Sequence, residues 1–101
     1  MKKILLNIPQ GVQKTIWAHL LPKRFVREQA AFAFTQRQAQ NRNEIFQLIE
    51  WLPVPPEGFV TQTRFHIELR DEVKASAIKR AHDLGASLIE MHSHLGRWPA
   101  G

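Results

Sequence analysis

Hydrophobic and polar positions along this chain switch between a strand-like and a helical period, and the switches mark its elements. Residues 3–8 are short and apolar and suit an opening strand, which Pro9 stops. From Pro9 the pattern turns helical, with Val12, Ile16, Trp17 and Leu20 recurring on one face. Pro22 ends that helix, because proline disfavours helical backbone at the residue before it. Residues 28–35 mix small and aromatic side chains, Glu-Gln-Ala-Ala-Phe-Ala-Phe-Thr, and read as a buried strand, with the alanines leaving helix as the alternative. The polar run 36–43 reads as a loop, and 44–54 as the clearest strand after it. Pro53, Pro55, Pro56 and Gly58 then break the chain before two short strands at 59–63 and 65–69.

Asp71 stands where an N-cap belongs, and Glu72 follows in the first turn, where the helix dipole favours negative charge. Val73, Ala77, Ile78, Ala81 and Leu84 form the apolar face of this second helix, and Gly85 is the expected left-handed terminator. Residues 87–91 form a last strand that runs directly into His92-Ser93-His94, and 95–101 are a loop bearing glycine and proline. The order β-α-β-β-β-β-α-β predicts an α/β sandwich, a mixed β-sheet flanked by helices.

A length of 101 residues suits one domain with one core, and 44% hydrophobic against 23% charged residues is a globular composition. The absence of cysteine excludes disulfides and thiolate metal sites and leaves imidazole and carboxylate as metal donors. It also fits a reducing compartment. Met1-Lys2-Lys3 followed by apolar residues opens as a secretory signal does, but Asn7 and Pro9 break the stretch, and no run approaches the ~20 apolar residues of a membrane span. These features predict a soluble, cytoplasmic protein with no membrane association. The net charge of +5 comes from lysines and arginines scattered along the chain, with no basic helix or aromatic-basic motif. A nucleic-acid partner is therefore not expected. The charge reads as a solvated basic surface, which an acidic protein partner would also suit.

Alternation along a strand puts His92 and His94 on one face, with Cα atoms ~6.5–7 Å apart at ~3.3 Å per residue. Two rings leaning inward from that separation reach one ion at the usual Zn–N length of about 2.0–2.1 Å. Spacing alone fits equally two surface histidines at a strand end. His19 and His82 fall on helices beside apolar residues and read as structural, while His66, in a short strand, carries no such spacing. Amidohydrolase barrels also carry His-x-His, but on the first strand of a barrel of ~250 residues, which this chain is too short to form.

With the second helix, the strand 87–91 and then His92-Ser93-His94, the chain resembles the JAMM (JAB/MPN/Mov34) metalloprotease domain of the prokaryotic type. That family's motif is a glutamate, a long gap, His-Ser/Thr-His, seven residues, Ser, two residues and Asp. The resemblance implies a cytidine-deaminase-like α-β-α sandwich, with His92 and His94 as zinc ligands and Glu28 as the general base. Ala31, Ala33 and Thr35 stand where the family often has Gly, Leu and Gly after its glutamate, which keeps Glu44 and Glu50 as further candidates. Leu95 replaces the family's usual proline after the second histidine, and Trp98 is expected to pack over the site. Residues 95–101 supply the seven intervening positions, so the resemblance implies a continuation carrying the serine and the third zinc ligand. The implied function is that of a zinc-dependent isopeptidase or peptidase acting next to ubiquitin-like proteins, with these 101 residues inactive by themselves. The alternative is a noncatalytic protein-binding domain of the same fold without metal.

Overall fold

The computed structural model describes residues 4–22, 27–40, 43–63 and 66–93. Strand β1 (Ile4–Asn7) leads into helix α1 (Gln10–Leu20), followed by β2 (Ala30–Gln40) and β3 (Asn43–Pro53). A single 3-10 turn (Pro56–Gly58) precedes β4 (Phe59–Gln62) and β5 (Ile67–Leu69), and helix α2 (Asp71–Leu84) and β6 (Ser87–His92) complete the order. The class is α/β, as the alternation of periods predicts. A four-stranded mixed sheet runs β1-β3-β2-β6, and β4 and β5 pair separately. β1 lies parallel to β3, and β2 is antiparallel to both β3 and β6.

The central strand β2 separates two cores. Ala30, Phe32 and Phe34 turn to α2, where they pack with Ala77, Ala81, Val54, Phe59 and Leu69. Ala31 and Ala33 turn to α1 and pack with Ile16, Leu20 and Leu48. Along β2, side-chain size is complementary to the helix on each face: its phenylalanines meet Ala77 and Ala81 of α2, and Ala31 and Ala33 meet Ile16 and Leu20 of α1. Fully burying a phenylalanine such as Phe34 contributes about 1.5–3 kcal/mol.

Register adds a feature that alternation alone does not give. Phe34 faces Glu50 and Thr35 faces Leu48, so Ile49 is the extra residue of a β-bulge. The bulge shifts the parity of β3, burying Leu48 against α1 and leaving Ile49 exposed.

Several expectations need correction. The polar run after Thr35 is not a loop: β2 continues to Gln40, paired with the first residues of β3. Gln36, Arg37, Gln38 and Ala39 are exposed, so this arm of the hairpin lacks the apolar face that marks a strand in sequence. Asp71 is the first helical residue rather than the cap, the cap position belongs to Arg70, and no side chain caps it. Trp17 and Ile78 face outward, flanking the apolar stripes rather than belonging to them. The strands at 59–63 and 65–69 narrow to β4 and β5, and Phe65 lies outside the described residues. Gly85 does end α2 with φ 62°, and Ala86 and Gly85 return hydrogen bonds to the carbonyls of Ala81 and His82, a Schellman arrangement.

Two predictions follow from this packing. A Cβ added at Gly58 would lie 2.8 Å from Val54 Cγ1 and 3.2 Å from Val73 Cγ2. Gly58→Ala should therefore destabilise the fold by about 1–3 kcal/mol in denaturant unfolding, the usual cost of overpacking; an unchanged midpoint would mean this contact relaxes freely. Arg80 of α2 grips Glu50 of β3 through two hydrogen bonds of 2.9 and 2.6 Å, which hold the Glu50 carboxyl below its ordinary 4.5. Because the folded-state value is the lower one, this stabilisation is complete above the ordinary value and is lost as pH falls through the folded one. Thermal melts of Glu50→Gln should accordingly fall less steeply with acid than those of the unaltered chain.

Candidate functional site

The β2–β6 ladder brings the start of one strand to the end of the other. Its last register pair is Ala30 with His92, so His92 shares the α2-facing side of the sheet with Ala30. His92 is exposed, and Glu28, just before β2, is only 3% exposed.

Glu28 and Gln29 are held although they precede the regular strand. The Glu28 N–H donates to the Thr63 carbonyl at 2.8 Å, and Gln62 Nε2 donates to the Glu28 carbonyl at 2.9 Å. On the other side, Ser93 N–H donates to the Gln29 carbonyl at 3.0 Å, and Gln29 N–H donates to Ser93 Oγ at 2.9 Å. Ser93 is itself buried. Among the described residues, no buried side-chain nitrogen or oxygen is left without a hydrogen-bond partner.

The remaining candidates separate cleanly. Glu44 lies near the far end of β3, opposite Ala39, with its carboxylate on Arg37. Glu50 faces Phe34, which meets Leu88 rather than His92, and its carboxylate is taken by Arg80. Glu28 is thus the glutamate among the three predicted candidates that adjoins the His92 end of β6. His19 is structural, as its helical position suggests: a carbonyl can only accept, so its Nε2 donates to the Ala30 carbonyl at 2.8 Å. That carbonyl also accepts from the Val54 N–H, and the His19 ring lies 6.1 Å from Trp51. His82, expected beside apolar residues, is instead exposed, and so is His66. His94 and Trp98 lie outside the described residues.

Zinc sites in proteins use three or four side-chain ligands. Among the described residues no three His, Asp or Glu side chains gather into such a set. At this end of the sheet the described residues place the His92 imidazole, of a donor type a cysteine-free chain must use, and the Glu28 carboxylate, which is expected to act as base rather than ligand. The sequence singles out Glu28 and His92 but not Gln62 and Thr63, which bond the Glu28 main chain. Gln62 meets Glu28 from 34 positions away, and no local pattern singles it out.

The fold is of the mixed α/β class, and one pair of adjacent strands ends beside buried Glu28 and exposed His92. The chain matches no family model, no curated protein and no solved structure.

The structural assignment of His19 is open to test. His19→Ala removes one donor from the Ala30 carbonyl while the Val54 bond stays, and should cost about 1 kcal/mol in chemical denaturation. Zinc uptake should not change. A loss of uptake like that from altering His92 would make His19 a ligand instead.

Proposed function

We propose that the chain is part of a zinc-dependent peptidase domain of the JAMM type, a cytoplasmic hydrolase that cleaves peptide or isopeptide bonds next to ubiquitin-like proteins. The observation that carries this reading is the β2–β6 register, with Ala30 opposite His92 and buried Glu28 two residues ahead of Ala30. A motif split by a long sequence gap requires that kind of meeting between strand ends.

In this reading His92 and His94 hold the metal. Zinc, when bound, lowers the pKa of a coordinated water to about 7 and polarises the scissile carbonyl. The Glu28 carboxylate accepts a proton during attack and returns it to the departing amine. Burial shields Glu28 from bulk solvent, and the hydrogen bonds to its main chain limit its movement. The 101 residues contain Glu28, His92 and His94 but not the motif's serine and aspartate. With two imidazoles as zinc ligands they should bind the metal weakly, at least ~10–100-fold below a complete site, the loss that removing even an outer-shell partner brings. Hydrolysis by these residues alone should be absent.

Zinc calorimetry tests the reading. The chain should take up about one weakly bound zinc, and His92→Ala and His94→Ala should each abolish that uptake. Uptake unchanged in both variants would end the metal assignment and leave the noncatalytic protein-binding reading in its place.

A further inference from the structure

We propose that the β4–β5 arm is part of the candidate site, with Gln62 and Ser93 acting as positioning residues that fix the Glu28–Gln29 main chain against the end of β6. The proposal deepens the peptidase reading and rests on it for the role of Glu28.

Regular pairing gives out at these two residues. β3 pairs with β2 only from Ala31, which faces Pro53, and β6 pairs with it only from Ala30. Strand ends held on neither side fray, and a carboxylate carried on such an end would wander. Here side chains take over. Gln62, the last residue of β4, sends its amide to the Glu28 carbonyl, while the neighbouring Thr63 carbonyl receives the Glu28 N–H. Across the strand, a plain antiparallel pair would exchange two main-chain bonds. Ser93 supplies one, from its N–H to the Gln29 carbonyl, but the return bond from Gln29 ends on the Ser93 hydroxyl. The residue between the two predicted zinc ligands thus grips the segment that carries the predicted base. Two elements distant in sequence hold the Glu28–Gln29 segment, one at each residue, and the second sheet gains a role beyond contributing Phe59 and Leu69 to the core.

Gln62→Glu tests this with little change of shape, because an ionised carboxylate cannot donate to the Glu28 carbonyl. Amide hydrogen exchange should show protection at Glu28 and Gln29 falling about tenfold, roughly the worth of one hydrogen bond, while Phe32 and Phe34 keep theirs. Ser93→Ala should do the same at Gln29, and Ser93→Thr, which keeps the hydroxyl, should restore it. Zinc calorimetry supplies a second readout. Glu28→Gln should weaken zinc binding about tenfold as an outer-shell change, Gln62→Glu should do likewise, and the pair together should weaken it no further than either alone. Unchanged exchange at Glu28 and Gln29, an equal loss at Phe32 and Phe34, or additive zinc effects would overturn the proposal. If the unaltered chain takes up no zinc, the peptidase reading fails by itself, and the exchange pattern still decides whether Gln62 and Ser93 hold this segment.

Discussion

Ala31 and Ala33 offer α1 a flat surface that Ile16 and Leu20 fill, while Phe32 and Phe34 project toward α2 into room left by Ala77 and Ala81. Both layers depend on this size complementarity along one strand. Close packing leaves little tolerance for exchanging the two faces, since large against large would overfill one layer and small against small would leave a cavity in the other. A one-residue slip of β2 would make that exchange, so the alternation fixes the register of β2 against β3 and β6. The register, in turn, decides what meets at the strand ends.

The candidate site follows from that constraint. Fixing Ala30 opposite His92 leaves Glu28 and Gln29 just beyond the ladder, and there Gln62, Thr63 and Ser93 supply the bonds the sheet does not. His19 reinforces the same point from the α1 layer by donating to the Ala30 carbonyl. The Glu28–Gln29 main chain is bonded from Gln62 and Thr63 at Glu28 and from Ser93 at Gln29, which would suit the proposed role of Glu28 as a proton acceptor, because misplacement by even ~1 Å is costly to catalysis.

Charge has a smaller part in the architecture. Arg80–Glu50 ties α2 to β3, while Lys79–Asp83 lies within α2 and Arg37–Glu44 within the exposed hairpin. Exposed pairs of this kind contribute little individually. The net charge of +5 therefore bears on solubility and encounter with partners more than on the fold. Among the described residues, no helix is long and apolar enough to cross a membrane.

Sequence by itself determined the element order, the α/β class and the stops at Pro9 and Gly85, because these depend on local sterics and on periodicity within a few residues. It also singled out Glu28 and His92, whose places at adjoining strand ends depend on the β2–β6 register. Tertiary structure alone decided the rest. The arm from Gln36 to Gln40 is a strand because β3 pairs with it, although its exposed side chains carry no strand signal. Ile49 is exposed because a bulge inserts it into β3, and an extra residue in a ladder can be seen only from both strands. Gln62 reaches Glu28 because two sheets fold together, and a hydrogen bond spanning 34 positions leaves no trace in the residues around either partner.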